Sequence, residues 1–309
     1  MATIKELSKR EDLLSGGHSL CAGCGASIAV RQVLLGVRGP VVCGSATGCL
    51  EVSTTSFPMT AWKTSFIHNA FENSAATMSG VEAAYQVLKR KGKIPADKRI
   101  KFVAFGGDGG TYDIGLQSLS GAMERGHDMV YVCYDNGAYM NTGIQRSGAT
   151  PFGASTTTSP AGKAGQGKPQ WRKDLTQIMA AHHIPYVAQA SVSHWKDLVD
   201  KAEKAFAVEG PAFLNVLAPC PRGWRVPNDM TIEIAKLGVQ TGFWPLYEIV
   251  DGEYKISFKP KELKPVVDFL KPQGRFKHLF KPGNEQLLET FQSEVTKSWE
   301  KLKKLAGVE

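Results

Sequence analysis

Long apolar runs are missing from the 309-residue sequence. No stretch approaches the ~18 uninterrupted apolar residues of a membrane span, and the first residues, MATIKELSKREDLL, carry charges where a secretion signal needs an apolar core. Internal repeats and low-complexity tracts are also absent, whereas 42% hydrophobic residues are enough for a large buried core. We therefore expect a soluble cytoplasmic protein, and not a membrane, secreted or disordered one.

A strong excess of one charge sign is absent as well. Lys and Arg number 37 against 29 Asp and Glu, a net charge of +8 that is spread along the chain. Nucleic-acid binding usually concentrates basic residues in an arm or stripe. We expect no nucleic-acid partner, because a phosphate-bearing cofactor or an acidic partner protein accounts for the balance equally well.

Short β-branched runs alternate with helical periodicity over most of the chain, which predicts an α/β fold with a mostly parallel sheet flanked by helices. The predicted strands are 40–43, 100–105, 129–134, 186–190 and 212–217. The predicted helices are 26–35, 70–91, 114–125, 175–182 and 195–207. In such sheets ligands bind beyond the carboxyl ends of the strands, so function is expected in the loops that follow them.

Two segments depart from this pattern. Residues 148–170 are rich in Gly, Ser, Thr and Pro and are expected to form a long loop or lid. The strand pattern weakens after about Pro227, and Asn284 is predicted to cap an amphipathic helix. We expect a cofactor-binding domain over 1–245 and a C-terminal extension over 246–309, which packs on that domain or on a partner subunit. The apolar positions of the predicted helix are Leu288, Phe291, Val295, Trp299 and Leu302.

The six cysteines indicate metal or redox chemistry, because no secretion signal accompanies them. Cys21 and Cys24 form a CxxC pair, whose two sulfurs can face one metal centre. This pair alone also fits a zinc ribbon or a thioredoxin-type dithiol. A zinc ribbon, however, wants a second close pair, which the sequence lacks, and a thioredoxin site would follow a strand and open a helix.

The other cysteines differ in their surroundings. Cys49 and Cys220 lie in tight loops after predicted strands, and four thiolates from Cys21, Cys24 and these two loops suit an iron–sulfur cluster. Cys43 lies at the end of a predicted strand and Cys133 inside one. We interpret these two as small buried hydrophobic residues.

A Gly-rich segment, Gly106 to Gly110, follows the predicted strand 100–105 directly. Its glycines let backbone amides approach a phosphate, but Asp108 among them would repel that phosphate unless a divalent cation lay between. The next strand ends in the polar loop 135–143, where Asn136 follows Asp108 by one strand–helix–strand unit. Both side chains can therefore reach one metal ion, and the pattern predicts a Mg²⁺-bridged diphosphate site.

These motifs resemble a known family. The GDG with its later Asn-bearing loop resembles the thiamine diphosphate fingerprint. CAGCG, ATGC, GGDG, YDNGAYMNTGIQRS, TTTSP and CP-x-GW together resemble the β subunit of pyruvate:ferredoxin oxidoreductases (pyruvate synthases), members of the 2-oxo acid:ferredoxin oxidoreductase family. The resemblance runs from about residue 15 to 245, with a further likeness at 274–280. It implies a thiamine-diphosphate-binding fold.

The resemblance also implies the roles of individual residues. The implied ligands of a [4Fe–4S] cluster are Cys21, Cys24, Cys49 and Cys220. The implied ligands of Mg²⁺ are Asp108, Asn136 and the backbone carbonyl of Ala138. The residues implied to line the cofactor are Cys49, Gly107, Asp108, Gly109, Gly110, Asn136, Ala138, Tyr139, Asn141 and Thr142. Asn141 is the candidate catalytic residue, nearest the reacting carbons, and Ala26 departs from the pattern because some relatives have Glu there.

The activity implied by the resemblance is the reversible, coenzyme A-dependent oxidative decarboxylation of pyruvate to acetyl-CoA and CO₂, with single electrons passing through the cluster to ferredoxin. Thiamine adds to the ketone of a 2-oxo acid, the cluster removes electrons and coenzyme A takes the acyl group. An α subunit is expected to supply the glutamate that activates thiamine, and γ/δ-type subunits to complete a hetero-oligomer that could itself dimerise. The chain should be inactive alone.

Three alternatives stay open. A sister enzyme acting on oxalate or another 2-oxo acid would differ mainly in pocket residues that the partner subunit contributes. A non-catalytic, cluster-bearing electron-transfer subunit would have no use for the intact GDG and Asn loop. A nonoxidative thiamine decarboxylase would not need four cysteines.

Overall fold

The computed structural model describes residues 3–163 and 165–308. Its strands in chain order are β1 (Val41–Ala46), β2 (Ser65–Asn69), β3 (Lys101–Gly107), β4 (Val130–Asp135), β5 (Ala161–Gly162), β6 (Gly165–Gln166), β7 (Tyr186–Ser191), β8 (Ala212–Leu217), β9 (Leu246–Val250) and β10 (Glu253–Phe258). Eight of them form one sheet in the order β10-β9-β7-β8-β4-β3-β1-β2, and β5 pairs with β6 in a small hairpin. β2, β1, β3, β4, β8 and β7 run parallel, while β9 and β10 are antiparallel at one edge.

Helices connect the parallel strands, as crossovers of this kind require. The α-helices are α1 (Ile4–Leu7), α2 (Gly25–Leu34), α3 (Cys49–Thr54), α4 (Ser74–Arg90), α5 (Leu116–Glu124), α6 (Leu175–Ala180), α7 (Trp195–Ala207), α8 (Pro221–Trp224), α9 (Thr231–Gln240), α10 (Val266–Leu270) and α11 (Glu285–Leu305). A π-helix at Gly109–Ile114 precedes α5, and 3₁₀ helices lie at Asn228–Met230 and Gly274–Phe280. In the part of the chain that the structure describes, no helix is both long and apolar enough to cross a membrane.

The sheet is covered on both faces. β4, β7 and β8 are buried along their whole length, which explains why they read as continuous apolar runs and not as alternating ones. Apolar side chains of α2, α7 and α9 form a core on one face, and those of α4, α5 and α6 form a second core on the other. This two-sided burial confirms the predicted α/β class.

The five predicted strands and five predicted helices are present, with shifted ends. β2, β9 and β10 are not predicted by the sequence. β2 is a half-exposed edge strand, and β10 alternates exposed and half-buried positions while carrying charges, so neither gives a continuous apolar signal. The predicted helix 114–125 corresponds to α5, which begins at Leu116, and the preceding residues 109–114 form a π-helix that the sequence does not predict.

The C-terminal residues pack on the same body. β9 pairs with β7, and α11 contributes Phe291 and Val295 to one core and Trp299 and Leu302 to the other. Asn284 stands at the N-cap position of α11, but its side chain does not cap the helix and instead donates to the His278 carbonyl at 2.8 Å. The expected capping bond is therefore wrong, while the expected helix is confirmed.

Candidate active site

The loops that carry the candidate residues meet at one edge of the sheet. β1, β3, β4 and β8 are consecutive neighbours, and all run in the same direction. Gly107 at the end of β3 lies opposite Tyr134 of β4, and Asp135 of β4 lies opposite Leu217 of β8. The segments that follow these strands are consequently adjacent, although they are far apart in sequence.

A cavity of about 280 Å³ opens at this edge. It is lined by all ten residues that the sequence analysis assigns to the cofactor: Cys49, Gly107, Asp108, Gly109, Gly110, Asn136, Ala138, Tyr139, Asn141 and Thr142. Thr47, Gly48, Phe71, Tyr134 and Met140 line it too; four of them lie in the quoted motifs without an assigned role, and Phe71 lies outside every motif. The structure thus brings together residues from four strand ends, those of β1, β2, β3 and β4, around one space.

Two oxygen atoms, Asp108 Oδ1 and the Ala138 carbonyl oxygen, face the end of the Asn136 side-chain amide. One terminal atom of the Asn136 side-chain amide lies 2.8 Å from Asp108 Oδ1 and 2.9 Å from the Ala138 carbonyl oxygen. With the amide nitrogen at this position both contacts are hydrogen bonds. With the amide oxygen there, three oxygens face one another, an arrangement that a cation stabilises.

Asp108 is fully buried, and its carboxylate is held from two sides. The Asn136 backbone N–H donates to Oδ1 at 3.3 Å, and the Ser147 hydroxyl donates to Oδ2. Burial raises the pKa of Asp108 well above its usual range, and the charge of nearby Asp135 raises it further. A divalent cation at this carboxylate would offset both effects and keep it ionised.

A buried lysine, Lys168, fixes the segment that carries Ser147. Lys168 is 2% exposed, and its ammonium donates to the carbonyls of Ser147, Gly148 and Thr150 at 3.2, 3.3 and 2.7 Å. Burial, followed by the charges of Arg146 and Arg172, lowers its pKa to about 8. Sequence reasoning missed Lys168, because a lysine in a Gly-rich loop gives no sign of burial.

Two glycines at the start of the π-helix are required by close approach. A Cβ on Gly109 would lie 2.5 Å from the Tyr139 ring, and one on Gly110 would lie 2.9 Å from the Phe71 carbonyl oxygen. A side chain at either position would displace the Tyr139 ring or the Phe71 backbone and would occupy part of the cavity. Helix starts also carry backbone N–H groups without intrahelical partners, which suit an anion such as a phosphate.

The loop after β4 is anchored at Tyr139 and open at Asn141. The Tyr139 hydroxyl donates to Asp113 Oδ2 at 2.9 Å, and its backbone N–H donates to the Gln145 carbonyl at 2.9 Å. Asn141 is exposed at the mouth of the cavity, and within the described residues its side chain makes no hydrogen bond. The Asn141 side chain is thus available to bind a ligand, and it does not stabilise its own turn through a hydrogen bond to the backbone.

Among the described residues, no group of three or more His, Cys, Asp or Glu side chains is close enough to hold a single metal ion. The four candidate thiols are nevertheless neighbours. Burial raises the pKa of Cys24 and Cys220 and raises the pKa of Cys49 to about 12, and charge on other members of the set adds to each shift. Their spacing is therefore wider than a single-ion site, yet short enough for electrostatic coupling.

Backbone contacts join the cysteine-bearing loops. The Gly25 N–H donates to the Pro219 carbonyl at 3.0 Å, and the Gly223 N–H donates to Cys220 Sγ at 3.3 Å. The indole N–H of Trp224 donates to the Asn136 carbonyl at 2.6 Å, which couples the Cys220 loop to the cavity. Arg275 stacks on Trp224 with its guanidinium 4.0 Å from the ring centroid. The motif at 274–280 thus packs, through Arg275, against the tryptophan that bonds to the cavity loop.

The remaining cysteines are where the sequence places them. Cys43 in β1 and Cys133 in β4 are fully buried among apolar neighbours, which confirms the interpretation that they are small core residues. Ala26, at the departure from the family pattern, is buried in the first turn of α2 and offers no polar group.

Comparison with known proteins agrees with this geometry. Residues 46–216 match the family described as "Thiamine pyrophosphate enzyme, C-terminal TPP binding domain". The chain is 55% identical over 309 residues to the pyruvate synthase subunit PorB of Thermotoga maritima, covering 98% of this chain and 95% of that protein. It is 56% identical over 270 residues to PorB of Methanocaldococcus jannaschii, covering 87% and 91%.

Two further relatives broaden the comparison. The ketoisovalerate oxidoreductase subunit VorB of Pyrococcus furiosus is 46% identical over 301 residues, covering 96% of this chain and 94% of that protein. A solved structure of 2-oxoglutarate:ferredoxin oxidoreductase from Magnetococcus marinus superposes with a TM-score of 0.57 at 22% identity, covering 73% of this chain and 79% of that chain, and therefore supports the fold alone. The chain belongs to the family of PorB and VorB subunits of 2-oxo acid:ferredoxin oxidoreductases, which are thiamine diphosphate enzymes.

Proposed function

We propose that this chain is the thiamine-diphosphate-binding subunit of a cytoplasmic pyruvate:ferredoxin oxidoreductase, and that it carries Mg²⁺ and a [4Fe–4S] cluster. The observation that carries the proposal is the position of Cys49, which lines the same cavity as Asp108 and Asn136. A thiol of the candidate cluster and the candidate metal ligands thus share one wall. Electrons released at the cofactor would have a short path out of the cavity.

The magnesium site would consist of Asp108, the Asn136 amide oxygen and the Ala138 carbonyl. These are oxygen donors of the kind that Mg²⁺ prefers, and Asp108 is the one carboxylate among the cavity-lining residues that the structure describes. Asp108 would stay ionised beside the cation, and the backbone N–H groups of Gly109 and Gly110 would donate to the diphosphate. With the metal bound, Asn136 would present its amide oxygen to it, because a cation between the three groups would replace the two hydrogen bonds of the amide nitrogen.

The cluster would be held by Cys21, Cys24, Cys49 and Cys220. A [4Fe–4S] cluster is held by four separate thiolates and is larger than a single metal ion. It therefore suits four thiols that are neighbours but too far apart to bind one ion together. Because burial favours the protonated thiols, cluster binding must displace protons and should be weaker in acid.

The residues that would contact the substrate lie at the mouth of the cavity. When bound, thiamine diphosphate supplies a nucleophilic thiazolium carbon and an electron sink, and the cluster accepts electrons one at a time. Asn141 would donate a hydrogen bond to the substrate carboxylate or to the oxygen that gains charge, and it would not titrate near neutral pH. Tyr139, fixed by Asp113, would hold the loop that positions Asn141.

A partner subunit has to complete the site. Activation of thiamine needs a carboxylate at the aminopyrimidine ring, and the only acid among the described cavity-lining residues is Asp108, which is committed to the metal. We therefore propose an α subunit that contributes this carboxylate, together with further subunits, ferredoxin and coenzyme A. This agrees with the relatives, which are named as subunits of larger enzymes.

Pyruvate is the proposed substrate, because the relatives at 55% and 56% identity are pyruvate synthase subunits. A branched-chain 2-oxo acid is the second candidate, because VorB at 46% is as similar as PorB of Pyrococcus horikoshii, also at 46%. The test is ferredoxin reduction by the assembled complex, purified without oxygen, with pyruvate, 2-oxoisovalerate, 2-oxoglutarate or oxalate. Pyruvate should give the highest kcat/KM, and a preference for another acid would refute the substrate assignment.

A further inference from the structure

A buried arginine, Arg275, contacts both the helix that follows Cys220 and the loop that carries Asn136. Its guanidinium lies 4.0 Å from the ring centroid of Trp224, which ends the short helix α8. The same guanidinium packs against the loop after β4, because a Cβ on Gly137 would lie 2.9 Å from Arg275 Nη1. Arg275 therefore lies where the candidate cluster loop meets the candidate metal loop.

The guanidinium of Arg275 has no carboxylate partner. Arg275 is 3% exposed, and among the described residues it makes no ion pair. In that part of the chain its side chain makes one hydrogen bond, from Nε to Gln273 Oε1 at 2.9 Å. A buried charge without a counter-charge is costly. The position of Arg275 therefore calls for an anion nearby.

The two carboxylates that act most strongly on Arg275 are those of Asp135 and Asp108, and both are committed elsewhere. Asp135 forms an ion pair with Arg172 at 2.6 Å and also accepts a hydrogen bond from Tyr112. Asp108 is the proposed ligand of Mg²⁺, whose charge exceeds that of one carboxylate. Neither carboxylate is left to balance the charge of Arg275.

The Cys220 thiol is the remaining group that can supply this anion. Burial lowers the pKa of Arg275 to about 9, and the charges of Asp135 and Cys220 act against this shift. The guanidinium therefore stays protonated at neutral pH. Burial raises the pKa of the Cys220 thiol, and the positive charge of Arg275 acts in the opposite direction. The two groups thus interact through the protein interior, where charges are screened less than at the surface.

We propose that Arg275 is the counter-charge of the [4Fe–4S] cluster and raises its reduction potential. This inference rests on the proposed function, because it needs a cluster at Cys220. A cluster held by four thiolates is anionic and gains one further negative charge when it is reduced. A buried cation beside it stabilises the reduced form more than the oxidised form. No bond forms or breaks in this step, since one electron enters from the 2-oxo acid and one leaves to ferredoxin.

The test is a redox titration of the assembled complex, purified without oxygen, with the reduced cluster followed by electron paramagnetic resonance. The signal that disappears in Cys24→Ala identifies the cluster of this chain. Two neutral variants remove the charge: Arg275→Met keeps a stem on Trp224, and Arg275→Gln can keep a hydrogen bond to Gln273.

Each neutral variant should make the cluster harder to reduce. At a fixed ambient potential the ratio of reduced to oxidised cluster should fall at least about tenfold, which equals a midpoint about 59 mV lower. Arg275→Lys keeps a positive charge and should stay closer to the wild type than either neutral variant. Arg222→Met is the matched control, because Arg222 is as near to Cys220 in sequence but is exposed, where water and salt screen its charge. Its ratio should change by less than about threefold.

The outcomes separate a role of the charge from a role in packing. A neutral variant that keeps its iron and has the wild-type midpoint overturns the proposal, and so does an Arg222→Met shift as large as that of Arg275→Met. If both neutral variants lose the cluster while Arg275→Lys keeps it, the charge is required and the proposal is supported. Loss of the cluster from all three would make Arg275 a packing residue and overturn it. A wild-type complex whose iron and signals all persist in Cys24→Ala would instead refute the cluster of the proposed function.

Discussion

Replacement of Asp108 by Asn should abolish most of the affinity for thiamine diphosphate without harming the free protein. Asp108 is fully buried beside Asp135, and both burial and the charge of Asp135 raise its pKa. Without a cation, the ionised form of Asp108 therefore destabilises the folded protein. Asn keeps the shape, and the Ser147 hydroxyl can accept from the new amide as well as it donates to the carboxylate. The unliganded variant should therefore be as stable as the wild type or slightly more stable.

The expected loss of affinity follows from the charge. Asp108 is the only anionic protein ligand proposed for Mg²⁺, and hydrogen bonds or contacts to a charged group contribute up to about 3 kcal/mol. A loss of this size raises Kd roughly 100-fold. At a cofactor concentration 100 times the wild-type Kd, binding stabilises the wild type by about 2.7 kcal/mol but the variant by only about 0.4 kcal/mol.

Calorimetric titration of the assembled complex with thiamine diphosphate at saturating Mg²⁺ measures this Kd directly. Thermal unfolding with and without cofactor gives the second readout, in which the wild type should gain about 3–4 °C more than the variant. Asp229→Asn, at an exposed position in a 3₁₀ helix, is the matched control and should change neither value. An Asp108→Asn complex with wild-type Kd would refute the metal site.

Two further predictions concern the loops around the cavity. Asn141→Ala should retain cofactor and iron but lower kcat by on the order of 10², since one preorganised donor is lost; near-normal kcat with a lower Tm would instead make Asn141 a turn residue. Lys168 should make the stability of the fold depend on pH, because its pKa is about 8 in the folded state against 10.5 ordinarily. Between these two pH values the unfolded chain keeps a proton on Lys168 that the folded chain has released. The free energy of unfolding therefore rises with pH over this range. In Lys168→Met that rise in melting temperature between about pH 8 and 10.5 should be smaller, and an unchanged rise would contradict the assignment.

The parallel core and the cofactor loops could be predicted from the sequence because local signals there agree with the fold. The runs in β3, β4 and β8 are buried on both faces, so their apolar character is continuous. Asp108 and Asn136 follow neighbouring strands of such a sheet, and spacing alone places them together. The prediction that their side chains share one site needed no knowledge of side-chain packing.

Other features depend on contacts between distant segments and leave no local signal. β9 and β10 acquire their strand character by pairing with β7 and with each other. The burial of Lys168 follows from three carbonyls of a loop that lies about 20 residues earlier. The buried hydrogen bonds around Asn215 join residues of five elements, the π-helix, β4, α6, β7 and β8. Local sequence patterns cannot predict strand pairing or the burial of a polar side chain, because both depend on residues that are distant in sequence.

The central claim is that one chain carries the thiamine cavity and the cluster on a shared wall. Iron and thiamine diphosphate should be counted together in complexes purified without oxygen, for the wild type and for Cys24→Ala and Cys43→Ala. Cys24→Ala should lose about four iron atoms per chain while it keeps thiamine diphosphate. Cys43→Ala, a change within the buried core, should keep both. Full iron content in Cys24→Ala, or loss of iron in Cys43→Ala, would contradict the claim.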